Sequence, residues 1–497
     1  MNIALVIIFA FLLFSLFLGI MARRGKDMSI EQWAVGGRGF GTAFVFLLLA
    51  GEIYTTSTFL GTSGWAYSKG GPSFYILATS SLSYLAGYWL LPPIWRYAKE
   101  HKLVSQSDFF VSKYKSKSLG VLTTVVGVAA LVPYLVLQFK GLGIIVSEAS
   151  YGSISPTVAI ILGGVAVTIY VMISGIHGSA WTAVIKDIMI FLIVIGIGIY
   201  LPYHYFGGIQ PMFEAINKTN SSFLTVPKEG LSFSWFISTT LLTVIGFNMW
   251  PHTFSTFFSA KNENVFKKNS IIMPLYTLML PFVLIVGFTA VAHIPGLETG
   301  DLALLRLSIK TFDPWLVGLI GAAGLLTAIV PGSMLLMASS TMISKNILKV
   351  CIPSMTEKKV VVTAKIIVPL LALVCVSFAI VGNSTIMTLL LMGYNLVTQL
   401  FPAMFVSLFK TKFFTKQGAI AGIIAGVLTV AYVTLSQVTI GKLFPELPHF
   451  IQDLNIGFVA LFINFITLIV VSFMTNQIKV NKSNLLKGEA NHENAHI

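Results

Sequence analysis

Apolar runs of about 20 residues recur along nearly the whole chain, and no other feature restricts its fold as much. A helix rises ~1.5 Å per residue, so each run is long enough to cross ~30 Å of hydrocarbon. Only 10% of the 497 residues are charged, and the mean hydropathy is +0.85. Soluble domains carry about 25% charged residues, so this chain cannot cover a water-facing surface. The expectation is an all-α polytopic membrane protein, one transmembrane domain over residues 1–475 with a polar, disordered tail at 476–497 that carries His492 and His496.

The net charge of +14 reads as basic residues gathered in cytoplasmic loops, and no nucleic-acid partner is expected. Cys351 and Cys375 have no metal-ligand spacing and read as packing residues. No cofactor is expected. The first apolar segment lacks a basic stretch ahead of it and is followed by Arg23, Arg24 and Lys26, so it reads as a retained helix and not a signal peptide.

About 13 transmembrane helices are predicted, near 3–22, 42–67, 73–95, 119–147, 156–174, 182–203, 233–258, 271–294, 314–345, 361–381, 384–409, 417–439 and 453–475. With the N-terminus outside, 23 Lys and Arg fall in inner segments and 6 in outer ones. This asymmetry predicts an outside N-terminus and a cytoplasmic C-terminus in the cell membrane. The inner stretch 96–118 mixes aromatics with Lys and reads as an interfacial helix.

Polar residues inside the spans are the candidates for function, because charge at mid-bilayer costs roughly 2.5–3.5 kcal/mol on the insertion scale. Span two contains "LLLAGEIYTTSTFLGTSGWAY", with Glu52 ~15 Å from the start of the helix and glycines at 51, 61 and 64. Glu52 is either a pathway group or a carboxylate paired for folding. The glycines fit an unwound helix, tolerated in lipid only where its backbone lines a cavity or meets an ion or solute. Span seven reads "LLTVIGFNMWPHTFSTFF", in which Gly246 and Pro251 bracket Asn248, Met249 and Trp250, with His252 following. Two interrupted helices five spans apart form the pattern of an inverted-repeat transporter, with core repeats over about 42–203 and 233–409. Span four contributes Pro133, Gln138 and Lys140. Lys140 either snorkels to the outer surface, pairs with Glu52 or binds an anion. Span eleven carries Tyr394, Asn395 and Gln399, and span nine is loosened by Pro331, Gly332 and Ser333. The "GGRGFG" loop at Gly36–Gly41 has no strand ahead of it and is not a dinucleotide loop.

The stretches "VGGRGFG", "GSAWTAVIKD", "WPHTFS" and "ASSTMISKNI" resemble the sodium:solute symporter family over nearly the whole chain. "AGEIYTTSTFLGTSGWAY", "GYWLLPPIWRYAK" and "VPYLVLQFKGLGIIVS" are similar to its bacterial monocarboxylate permease branch. The resemblance implies a LeuT-like core of two inverted five-helix repeats. It also implies secondary active symport of a small monocarboxylate of the lactate or pyruvate kind, or alanine, coupled to H+ or Na+. A sodium site like those of the family would use the carbonyls of Gly51, Tyr54 and Thr327 and two hydroxyls of span nine. Those hydroxyl positions are here Val330 and Pro331, with Ser333 or Thr327 as nearby substitutes. A proton carried by Glu52 or His252 needs no such pair. The expected solute contacts are Thr55, Thr56, Gln138, Lys140, Asn248, Trp250 and Tyr394, with Trp65, Trp250 and Tyr394 as gate or wall residues. The competing expectations are a symporter of pantothenate or an amino acid, and a channel with a continuous polar stripe.

Overall fold

The first helix, α1, is Ile3–Arg23, and two half-length helices follow, α2 at Thr42–Ile53 and α3 at Ser57–Lys69. Next come α4 at Gly71–Glu100, the short α5 at Gln106–Tyr114, α6 at Lys117–Ala149 and α7 at Pro156–Phe206. A second pair of short helices is α8 at Phe233–Phe247 and α9 at Pro251–Ser259, followed by α10 at Asn264–His293. Further long helices are α11 at Pro314–Cys351, α12 at Glu357–Val381, α13 at Ile386–Val406, α14 at Lys416–Ser436 and α15 at Ile456–Glu493, and short ones such as Ile209–Thr219 and Ala303–Thr311 lie in the connections. This computed structural model describes residues 2–25, 29–409, 411 and 413–493, the last sixteen by backbone alone.

Ten of the described helices are long and apolar enough to cross a membrane, or twelve when each bent pair, α2 with α3 and α8 with α9, counts as one span. α7 holds 51 residues, ~76 Å of helix, which is more than twice the hydrocarbon thickness. It bends at Gly175, whose φ of 55° and ψ of −156° belong to glycine alone, so two helical arms meet there.

The two bent pairs turn by 46° and 47° at the interruptions read in the sequence. At the first, Tyr54 leaves the helix with ψ 75°, and Thr55 N–H donates to the Ile53 carbonyl at 3.0 Å. At the second, Trp250 is extended and Pro251 opens α9 as its first residue, where its missing N–H costs nothing. The entrance to α2 and the exit of α9 are tied by a backbone bridge. Phe40 N–H donates to Ser259 O and Lys261 N–H to Phe40 O, both at 3.0 Å. Glycines 36 and 37, at φ 58° and 66°, shape the turn into this bridge. That is the work of the "GGRGFG" loop.

α11 lies at the centre, buried on nearly every side against α1, α6, α7 and α12. Gly318 lets α1 approach, since a β-carbon there would stand 2.9 Å from the Ala4 backbone. α14 and α15 form a peripheral pair. Gly418, Gly422 and Gly426 repeat every fourth residue along the face of α14 that meets Leu468, Asn464 and Ser472, the small-residue spacing by which membrane helices approach closely. α15 continues in helical form beyond Asn476, where a disordered tail was expected. Its Lys, Leu, Glu and Ala residues favour helix and no proline stops it. Lys26, Lys410, Lys412 and His496 lie outside the described residues.

Candidate functional site

Unwinding a helix inside a bilayer bares carbonyls, and each needs a partner. At the first break Tyr134 on α6 donates to Glu52 O at 3.3 Å, and the Thr58 hydroxyl donates to Ile53 O. The Lys186 ammonium on α7 lies 3.2 Å from Tyr54 O and 3.5 Å from Ala50 O. At the second break Gln106 at the start of α5 donates to Met249 O at 2.6 Å.

The two breaks meet through one carboxylate. Glu52, 4% exposed, accepts from Thr253 Oγ1 and from Thr256 Oγ1, each at 2.7 Å, and both threonines lie on α9. The last turn of α2 is thereby joined to the half-helix after the other break. Hydrogen bonds to a charged acceptor contribute about 1.5–3 kcal/mol each.

Beside Glu52 lies a chamber of about 60 Å³. At ~10–15 Å³ per water position, that is space for about five waters or one small solute. Ser57, Thr58 and Thr62 of α3, Thr79 and Ser83 of α4, Thr243 of α8 and Tyr134 of α6 line it with hydroxyls. Phe247, Met387, Leu390 and Tyr394 supply apolar wall. Glu52 is the one charged side chain among these lining residues. Ser57 opens α3, so the positive end of that helix dipole faces the chamber. Toward the Lys69 end of α3, Trp65 stacks on Trp235 at 5.6 Å between centroids, and Tyr75 meets both edge-on. On the opposite side, Tyr134, Trp250, His252 and Tyr394 form a second aromatic layer.

Of the residues singled out in the sequence, Glu52 and Tyr394 line the chamber, and Thr55 stands behind it with Oγ1 2.7 Å from Ser57 Oγ. Trp250 and His252 are in the aromatic layer, where His252 Nδ1 has no protein partner. Thr56 faces Gly141 of α6, and Gln138 faces Gly332 of α11. The Thr56 hydroxyl and both Gln138 amide atoms lack protein partners. Asn248 donates to Ser83 O at 3.3 Å from outside the chamber wall. Lys140 donates to Ser384 O at 2.6 Å in a separate groove between α6, α12, α13 and α14, and does not meet Glu52.

Tyr54, Thr327 and Ser333, expected as sodium ligands, have protein partners of their own. Gly51 and Tyr54 are at the break, but Lys186 has the Tyr54 carbonyl. Thr327 Oγ1 is bonded to Gly324 O at 2.6 Å, and Ser333 Oγ to Val330 O at 2.6 Å and Ser179 Oγ at 2.7 Å. The site residues missed in the sequence are Thr253, Thr256, Tyr134 and the Lys186–Asp187 pair. Lys186 stands ~15 Å into the second arm of α7, a charge in mid-span that the sequence does display.

A polar knot closes one end of the bundle. Asp108 on α5 bonds Lys345 Nζ and Asn346 Nδ2 of α11, each at 2.8 Å, and Val104 N–H at 3.0 Å. Burial works to raise the Asp108 carboxyl, but the Lys345 charge and these hydrogen bonds outweigh it and hold the group below the usual carboxylate range.

Residues 33–426 match the sodium:solute symporter family. The chain is 62% identical to the uncharacterized symporter YhjB of Bacillus subtilis, over 96% of this chain and 98% of that one. It is 26% identical to the monocarboxylate transport permease protein of Rhizobium johnstonii, over 80% and 82% of the two chains. Among solved structures, a Na+-coupled sialic acid symporter in a substrate-bound, outward-open state superposes with a TM-score of 0.78 at 17% identity. The match covers 96% of this chain and 97% of the other, and it shares the fold.

Proposed function

The chain belongs to the sodium:solute symporter family, a family of multi-pass secondary transporters, and from that premise we propose that it imports a small monocarboxylate together with a proton. The observation that carries the reading is the Glu52 carboxylate, which joins both helix breaks and lines the chamber. A solute carboxylate entering there meets the hydroxyls of Ser57, Thr58 and Thr79 and the positive end of α3. It also meets Glu52. Two carboxylates side by side cannot both stay ionised, so the solute and one proton load together. The chamber volume suits a molecule of lactate or pyruvate size.

In this reading the two arms of α7 are separate spans, which brings the count to thirteen. The helices over 42–203 and 233–409 form two inverted five-helix repeats, with one broken helix opening each. The distribution of Lys and Arg supports an N-terminus outside and a C-terminus in the cytoplasm. The Trp65–Trp235 layer is then the outer gate and the Trp250–Tyr394 layer the inner one. Rocking of the helices that carry Glu52 and Thr253 against α11 opens them in turn.

A second reading has its own support: among the described residues no cationic side chain lines the chamber, and Glu52 equally suits the ammonium of a small amino acid such as alanine. Uptake of labelled lactate, pyruvate, acetate and alanine into vesicles, with sodium and pH gradients imposed separately, distinguishes the two. Accumulation of a monocarboxylate driven by the pH gradient is the expected result. Accumulation of alanine alone supports the second reading, and uptake of none of the four defeats both.

A further inference from the structure

The position of Lys186 has a bearing on the coupling ion. Its side chain is fully buried, midway along an arm of α7, against the unwound end of α2. The ammonium reaches Tyr54 O at 3.2 Å and Ala50 O at 3.5 Å. Asp187 Oδ1 is 2.9 Å away, Glu52 acts on it across the break, and the Tyr276 hydroxyl stands beside Asp187. Ala50 O still accepts from Tyr54 N–H at 2.9 Å, so Tyr54 O is the carbonyl beyond the last turn of α2. Backbone carbonyls at a helix break with a carboxylate beside them are a donor set that a hard monovalent cation takes in a membrane.

On the opposite wall α11 presents a valine methyl at this point. A β-carbon on Gly51 would stand 3.6 Å from Lys186 Nζ and 3.3 Å from Val330 Cγ1, so the ammonium and the valine methyl face the same spot. Pro331 follows Val330 without a polar side chain, and the hydroxyls of Thr327 and Ser333 donate within their own helix, to Gly324 O and Val330 O. A free sodium ion placed here would meet an ammonium at contact distance.

We propose that the first helix break is a cation site filled by the chain's own Lys186. The tethered ammonium holds the carbonyls of α2 together, the break needs no sodium, and removing the side chain leaves a site that a small free cation enters. The inference rests on the transporter reading only in what it says of coupling; its geometry stands without any solute.

The test uses the full-length protein purified in detergent with no solute present, so a failure of carboxylate uptake does not touch it. Thermal unfolding is followed in choline chloride, sodium chloride and methylammonium chloride at one ionic strength, alongside equilibrium binding of radioactive sodium. The wild type is expected to unfold at the same temperature in all three salts and to bind no sodium saturably. Lys186→Ala is expected to unfold several degrees lower in choline and to recover, saturably, in sodium or methylammonium. Saturable sodium stabilisation or binding by the wild type overturns the proposal, even if the variant cannot be purified. So does a Lys186→Ala protein as stable in choline as the wild type, or one that neither cation restores.

Discussion

At the scale of single residues, one carboxylate fastens the site. Glu52 receives one hydrogen bond from each of two threonines that lie a helical turn apart on α9. Replacing both, Thr253→Val with Thr256→Val, removes two charge-assisted bonds while leaving the volume almost unchanged. The expected loss is about 3 kcal/mol of stability, read as a lowered unfolding temperature in detergent. An unchanged temperature would mean that the contacts contribute nothing to joining the breaks. Glu52 itself was legible in the sequence, because a carboxylate in an apolar run has few explanations. Its partners were not. Thr253 and Thr256 follow Pro251 in a stretch of ordinary hydroxyls, and only the bend after Trp250 turns them toward α2. Lys186 was visible as a charge, but what it touches depends on where α7 packs, which a local pattern does not contain. Lys140 stood out equally and lies in a different groove.

At the scale of elements, most of the helices could be read from hydropathy, and so could both interruptions: Pro251 opens the second half of one, and the polar, glycine-bearing stretch around Glu52 marks the other, where the chain leaves the helix at Tyr54. The packing around α11 was not legible, since a helix buried on every side has no amphipathic face to reveal its neighbours. The role of α5 was hidden for a similar reason. Its Phe109 and Phe110 are fully buried, and Asp108 ties it to α11. Because Asp108 is held below the usual carboxylate range, its contribution to stability is fully present above about pH 4 and is lost as pH falls through the lowered value. Asp108→Asn is expected to cost about 2 kcal/mol at pH 7 and to flatten the acid limb of a stability profile measured by thermal unfolding. A variant that keeps the wild-type acid limb would show that another group controls it.

At the scale of the whole molecule, the arrangement is a central buried helix with two broken helices beside it, their ends tied by the Phe40–Ala260 bridge and their midpoints by Glu52. Both aromatic layers reach the same chamber, one through Tyr75 and the other through Tyr134 and Tyr394. The family and the fold fit transport, and the proposed account has the solute share a proton with Glu52. Reconstituted vesicles separate binding from driving force: exchange of labelled for unlabelled lactate needs no gradient, whereas net accumulation does. Glu52→Gln keeps the side-chain shape and a hydrogen bond to α9 but can no longer take up or release a proton. The account predicts that this variant exchanges lactate across the membrane yet fails to accumulate it when a pH gradient is imposed. Accumulation at the wild-type level by Glu52→Gln would contradict it.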